Sequence, residues 1–214
     1  MFKIIRASLL LMWVGCTCFA KVPEGPVVQF DIEVSDQQGQ VVDHGRVLVA
    51  LASKEAPKTT RNFLNYVQAK FYDDTIFHRM IPQFMIQGGG FNGAMSEKKA
   101  NAPIENEANA KLENRKGTIA MARTMDVNSA TSQFFINFTD NAFLNHRDDS
   151  AEGFGYAVFG QVIDGMPWLE KLQSIATTTI KGYSDVPVNQ VKIKRAFVLS
   201  SEEKSASASK SHLP

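Results

Sequence analysis

Apolar residues occupy every second position of the segment 27–34. This period of two predicts a β-strand with one buried face. Residues 35–45 are polar and contain two glycines, which predicts a hairpin loop. The apolar segment 46–51 then predicts a second strand, so the chain begins its folded part with a hairpin.

Two segments change to the helical period. Pro57 suits the first turn of a helix, and the apolar positions over 63–67 lie on one face of a helix that extends to about Ala69. A second helix is predicted over 167–175. Its predicted buried face consists of three residues, Trp168, Leu169 and Leu172.

Short strand-like segments fill most of the remaining chain, and Gly, Asn and Asp separate them. They are 75–80, 84–87, 118–122, 133–137, 156–162 and 188–199. Many short strands with only two helices predict a β-rich barrel or sandwich.

The two ends of the chain differ from the rest. Residues 1–20 combine Lys3 and Arg6 with an apolar run that ends before Lys21, which predicts a cleaved signal peptide and export to the periplasm. The run is shorter than the ~20 residues of a membrane span. An uncleaved membrane anchor and a lipid-modified Cys16 are the alternatives. No stable membrane contact is expected unless the protein is lipid-anchored. The polar tail 200–214 is predicted to be disordered, which leaves 21–199 as one domain.

Composition excludes several kinds of chemistry. Both cysteines, Cys16 and Cys18, lie in the predicted signal peptide, so the mature domain has neither a disulfide nor a catalytic thiol. Removing Lys3 and Arg6 from the 23 basic residues leaves 21 against 22 acidic residues, a formal charge of −1. This balance gives no reason to expect nucleic-acid binding. The four histidines lack metal-ligand spacing, and no cofactor is expected.

Four separated motifs resemble those of a known family. They are FHRMIPQFMIQGGG at 77–90, GTIAMAR at 117–123, SQFFIN at 132–137 and GYAVFG at 155–160. Together they resemble the signature of the cyclophilin family, and their spelling is nearest to its exported bacterial branch. The resemblance implies a closed, eight-stranded antiparallel β-barrel with a helix at each end and an active groove on the outer face. It also implies peptidyl-prolyl cis/trans isomerase activity.

The resemblance assigns catalysis to Arg79, with Phe84 and Gln87. Arg79 would donate hydrogen bonds to the prolyl group, and Gln87 would help to hold Arg79. The implied substrate-binding residues are Met85, Ala122, Arg123, Gln133, Phe135, Phe143, Leu144 and Tyr156. Because Phe134 and Phe135 are neighbours on a strand, they must face opposite sides. Three phenylalanines are predicted to be plain core, namely Phe77, Phe134 and Phe159.

Two positions depart from many eukaryotic members, which have Trp where this chain has Phe143 and His where it has Tyr156. Phe143 lacks an indole N–H, so only weak binding of the cyclic peptide cyclosporin is expected. The expected partners are proline-containing unfolded or exported polypeptides, bound by a monomer. A non-catalytic proline-peptide binding module or holdase chaperone is the alternative function. Retention of Arg79 favours the enzyme.

Overall fold

The computed structural model describes residues 22–200 and Glu203, so the predicted signal peptide and most of the predicted tail lie outside the described residues. Eight strands close into an antiparallel barrel in the order β1-β10-β3-β4-β6-β5-β7-β2, which confirms the predicted fold. A separate two-stranded sheet is formed by β8 and β9. The strands are β1 Val27–Ser35, β2 Val41–Leu51, β3 Thr75–Ile81, β4 Met85–Asn92, β5 Thr118–Met121, β6 Phe134–Asn137, β7 Val158–Asp164, β8 Thr177–Ile180, β9 Tyr183–Pro187 and β10 Gln190–Val198.

Strand β1 follows its sequence pattern, with alternate residues buried in the barrel. Strand β2 begins at Val41, so the predicted loop was too long. The connecting turn spans only 36–40, where the Asp36 carboxylate accepts hydrogen bonds from the backbone N–H groups of Gln38 and Gln40. The first residues of β2 have no buried face, and their sequence therefore shows no alternation.

Aromatic rings fill the barrel interior around Phe134. This ring lies between 5.4 and 6.0 Å, centroid to centroid, from the rings of Phe30, Phe63, Tyr72 and Phe77. Edge-to-face and offset contacts at such distances stabilise a core beyond the burial of area. The predicted core positions are confirmed, because Phe77, Phe134 and Phe159 are each at most 1% exposed.

Two helices pack on the barrel, α1 over Pro57–Gln68 and α2 over Met166–Leu172. Pro57 begins α1 as predicted. Helix α2 follows Gly165, whose φ is +90° and where a Cβ would lie 2.2 Å from the Arg46 carbonyl oxygen. Within the described residues, no helix is long and apolar enough to cross a membrane.

The prediction that Trp168 is buried with Leu169 and Leu172 was wrong in part. Leu169 and Leu172 belong to the barrel core, whereas Trp168 is only half-buried. Its indole Nε1 donates a hydrogen bond to Asp43 Oδ2 at 3.1 Å, and its ring lies over Gly45. Because its N–H donor has this partner at the surface, Trp168 keeps one edge there and is not fully buried.

The hairpin of β8 and β9 was not predicted. Residues Lys181 and Gly182 connect the two strands, and both have positive φ, at +51° and +85°. Tight hairpin turns with two such residues match the twist of the flanking strands. The strands themselves are short, and β8 is exposed along its whole length, so neither shows an apolar alternation.

Candidate active site

Arg79 reaches the outer surface because strand β3 contains a β-bulge. On the neighbouring strand β4, Gly88 pairs with Phe77. The next pair joins Arg79 to Gln87, which leaves His78 as an extra residue without a partner in the ladder. Regular alternation would direct Arg79 to the same face as Phe77, which lies in the barrel core. With the bulge, the Arg79 side chain is 41% exposed instead.

The guanidinium of Arg79 contacts a carboxylate on the β8–β9 hairpin. Its Nε donates a hydrogen bond to Asp185 Oδ2 at 3.4 Å. Within residues 22–200 the Arg79 side chain makes no other hydrogen bond. Gln87 lies beside Arg79 in the ladder, but its amide Nε2 donates to Gln133 Oε1 at 2.9 Å. The structure therefore shows Asp185, not Gln87, as the hydrogen-bond partner of Arg79. The sequence had given no signal for Asp185.

An apolar floor lies next to Arg79. Met85, Ala120, Phe135 and Val158 form a buried cluster that is separate from the barrel core. Phe135 belongs to this cluster and Phe134 to the core, so the two neighbours face opposite sides as predicted. The strands of one sheet thus supply a packed interior and a second apolar surface outside it.

Met85 and Phe135 of this cluster line a cavity of about 140 Å³. Its lining consists of nine of the predicted site residues: Arg79, Phe84, Met85, Gln87, Ala122, Arg123, Phe135, Leu144 and Tyr156. The other two lie beside it. Gln133 holds the Gln87 amide, and Phe143 stacks on Phe84 with their ring centroids 5.6 Å apart. Phe143 is 67% exposed and forms an outer rim of the cavity.

Arg123 connects the cavity wall to the neighbouring loop. Its Nε donates to the Gly155 carbonyl oxygen at 3.0 Å, and one terminal nitrogen donates to that of Ala151 at 2.9 Å. The guanidinium carbon lies 4.9 Å from the centre of the Tyr156 ring, which is a cation–π distance. Tyr156 in turn contacts Phe135 edge to face. These contacts brace the loop and the wall of the cavity together.

His78, next to Arg79, is a buried neutral side chain. Its ring lies 4.5 Å from that of Phe91, and its Nδ1 has no hydrogen-bond partner among the described residues. Burial, followed by the positive charge of Arg79, lowers the pKa of His78 from 6.5 to about 4. At neutral pH Arg79 is therefore not accompanied by a second positive charge at this position.

A larger cavity, of about 480 Å³, lies between Pro23 and the loop 110–115. None of the predicted site residues lines it, and its loop contributes Lys111, Glu113 and Arg115. The smaller cavity combines an apolar floor with convergent polar groups, which is the composition of a ligand site. Among the described residues, no group of three or more acidic, His or Cys side chains is arranged to hold a metal ion.

Comparisons with known proteins agree with this geometry. The family model described as "Cyclophilin type peptidyl-prolyl cis-trans isomerase/CLD" matches residues 29–198. The chain is similar to peptidyl-prolyl cis-trans isomerase cyp18 of Streptomyces antibioticus, with 52% identity over 72% of this chain and 93% of the relative. It is also similar to peptidyl-prolyl cis-trans isomerase B of Escherichia coli K12, with 47% identity over 73% and 95% of the two chains.

A solved structure resembles this one over most of its length. It is a cyclophilin type peptidyl-prolyl cis-trans isomerase of Cryptosporidium parvum, crystallised in the presence of the dipeptide Ala-Pro. The TM-score is 0.62 at 26% sequence identity, and the match covers 79% of this chain and 99% of the other.

Proposed function

The chain belongs to the cyclophilin family of peptidyl-prolyl cis-trans isomerases, and we propose that it rotates X-Pro bonds of exported proteins in the cavity beside Arg79. The isomerase activity follows from the family match and from relatives at 47–52% identity. The residue roles, the exported clients and the periplasmic location are the proposal. The observation that carries the residue roles is that Arg79, Phe84 and Phe135 line one cavity on the outside of the barrel.

The reaction breaks no covalent bond. The barrier to rotation about a peptide C–N bond is about 18–20 kcal/mol, because the planar amide has partial double-bond character. In the twisted amide this conjugation is lost and the nitrogen lone pair is localised. A catalyst therefore needs a donor that interacts more strongly with the twisted form than with either planar isomer.

Arg79 supplies that donor. Its guanidinium is charged at all physiological pH values and carries several N–H groups in a rigid plane. In the proposed complex it donates to the prolyl carbonyl and approaches the prolyl nitrogen as that atom becomes pyramidal. Such a fixed donor stabilises charge that develops only in the transition state.

The apolar side chains that line the cavity bind the proline ring. Phe84, Met85, Phe135 and Leu144 surround a cavity of about 140 Å³, where a pyrrolidine ring excludes water. Loss of water lowers the local dielectric constant and strengthens the interaction of the amide with the Arg79 charge. The Ala122–Arg123 segment contributes the adjoining wall, and its main chain is proposed to bind the substrate backbone.

The catalytic role of Arg79 is tested with a chromogenic X-Pro peptide. We expect Arg79→Ala to lose ~2–4 kcal/mol of transition-state stabilisation, by analogy with loss of one oxyanion-hole donor. Arg46→Ala is the matched control, because Arg46 is similarly exposed and also paired with an aspartate, Asp164. Equal isomerisation rates in Arg79→Ala and the parent would refute the assignment. Peptide binding without catalysis by the parent itself would instead favour a holdase.

Export is supported by the charged and apolar pattern of residues 1–20 and by the absence of cysteine after Cys18. Fractionation of the expressing bacterium, with N-terminal sequencing of the product, tests this part separately. We expect a periplasmic protein that begins at Lys21. A cytoplasmic, full-length product would contradict the location, and a membrane-bound form released by Cys16→Ser would indicate lipidation.

A further inference from the structure

The β8–β9 hairpin is a separate sheet, yet it is fixed against the outer face of the barrel. Ile76, Phe91, Met95 and Val186 form a small buried cluster between the hairpin and strands β3 and β4. The rings of Phe91 and Tyr183 are 5.0 Å apart. A hairpin of two strands gains stability by packing an apolar face on a neighbour, and this one does so immediately beside the bulge of β3.

The hairpin contains its own irregularity at the residue that contacts Arg79. Thr178 pairs with Val186 and Ile180 with Tyr183, so β9 has one residue more than β8 between these pairs. Asp185 lies in this bulge with φ +62°, in the left-handed region. Aspartate tolerates that conformation better than most residues with a side chain, although at some cost.

Two bulges on neighbouring elements thus bring one ion pair together. The bulge of β3 turns Arg79 away from the barrel core. The bulge of β9 contains Asp185, the residue that Arg79 contacts. Arg79 uses Nε for Asp185 Oδ2, so within residues 22–200 its two terminal nitrogens make no hydrogen bond. The terminal nitrogens are therefore available to a substrate while the inner nitrogen is held.

We propose that Asp185 is a positioning residue that orients the Arg79 guanidinium toward the proline cavity. The inference rests on the proposed role of Arg79 in catalysis. Holding the inner nitrogen restricts the rotamers of a long side chain before substrate arrives, so less freedom is lost when the transition state forms. Both carboxylate and guanidinium are more than a third exposed, at 38% and 41%, and the effect of one such pair is modest.

The test removes the charge of Asp185 and keeps its shape. Asp185→Asn retains a side chain that tolerates positive φ. We expect its kcat/KM on an X-Pro peptide to fall roughly two- to fivefold, the range of an exposed ion pair. The fall should lie in kcat, with KM little changed, because the apolar floor is intact. The Asn amide oxygen can still accept the hydrogen bond from Arg79 Nε, so Asp185→Gly, which has no side-chain acceptor and relieves the backbone, should show at least the same loss.

Three controls separate positioning from a general structural effect. Asp164→Asn breaks the comparable Arg46–Asp164 pair outside the site and should leave kcat/KM unchanged. In an Arg79→Ala background, Asp185→Asn should have no further effect, since the group that it positions is gone. High salt should reduce the difference between parent and Asp185→Asn, because it screens exposed charges.

The possible outcomes are distinct. Parent-like kcat/KM in both Asp185→Asn and Asp185→Gly would overturn the inference, as would an equal loss in the parent and Arg79→Ala backgrounds. Full activity of Arg79→Ala itself would instead refute the proposed catalytic role of that arginine. A loss of activity that disappears in the Arg79→Ala background supports positioning.

Discussion

The barrel interior and the outer cavity are both built from phenylalanine, but they enclose it to different degrees. Phe134 is fully buried among four aromatic rings. Its neighbour Phe135 lies on the opposite face of β6, in a smaller cluster that borders the 140 Å³ cavity. The interior ring is 0% exposed, whereas Phe135 is 5% exposed and its remaining surface borders the cavity proposed to bind the substrate. Adjacent positions of one strand therefore contribute to two different apolar clusters, the barrel core and the proposed site.

The largest expected effect comes from removing the interior ring. Phe134→Ala should lower the free energy of unfolding by about 3–5 kcal/mol, because it leaves a cavity in a close-packed core. Phe135→Ala should lower the free energy of unfolding less than Phe134→Ala does. When activity is expressed per folded molecule, Phe135→Ala should reduce kcat/KM for an X-Pro peptide much more than Phe134→Ala. Urea denaturation and the peptide assay measure the two quantities. Equal losses of stability in both variants would show that the two surfaces are not distinct.

A conservative pair makes the comparison sharper. Phe134→Leu retains most of the apolar volume and should lower the free energy of unfolding much less than Phe134→Ala does. Phe135→Leu should likewise keep the fold, while changing the shape that receives the proline ring. If Phe134→Leu reduced catalysis as strongly as Phe135→Leu, the interior would be part of the site and the separation would fail.

The sequence predicted the parts of the fold that depend on local pattern. The alternation of β1 gave its buried face, and the adjacent pair Phe134 and Phe135 gave one ring to each side. The site came from the resemblance, whose motifs placed residues from β3, β4, β6 and the segment after β5 together. Nine of the eleven predicted residues line one cavity, so the family signature grouped residues that periodicity alone does not bring together.

Features set by pairing between distant strands were not predictable. The bulge at His78 exists only in the register of β3 against β4, and that register is invisible in the sequence of β3. The partnership of Arg79 with Asp185 joins residues 106 positions apart through a hairpin without apolar alternation. The half-buried position of Trp168 depended on its distant partner Asp43, so a local helical pattern could not reveal it.

His78 tests whether burial outside the barrel behaves like burial within it. Its imidazole is 5% exposed, and its pKa is lowered from 6.5 to about 4. Well above pH 6.5 the folded and unfolded chains are both neutral at this residue. Between pH 6.5 and 4 the unfolded chain binds a proton that the folded chain does not, so stability falls as the pH falls. The loss should reach about 3 kcal/mol at most.

His78→Gln should flatten this part of the stability curve. Urea denaturation of the parent and the variant at pH 7.5 and pH 4.5 gives the difference. His44→Gln is the matched control, because it makes the same substitution at an exposed histidine. Parallel curves for the parent and His78→Gln would mean that the buried surroundings of His78 admit the charged imidazolium.

The smallest expected effect concerns the exposed rim. Phe143 is 67% exposed and stacks on Phe84, so its replacement by Trp should change the free energy of unfolding by less than about 0.5 kcal/mol. The indole adds an N–H donor beside the cavity. One further hydrogen bond contributes about 1 kcal/mol, so cyclosporin should bind Phe143→Trp roughly fivefold more tightly than the parent.

Phe143→Leu separates the donor from simple apolar contact at this rim. It removes the aromatic ring and adds no N–H, so we expect cyclosporin affinity no higher than that of the parent. Turnover of an X-Pro peptide should be similar in the parent and Phe143→Trp, because rotation of the amide requires no donor at this position. Isothermal titration gives the affinities. A parent that binds cyclosporin as tightly as Phe143→Trp would show that the rim does not limit recognition, and that the floor around Phe135 alone determines it.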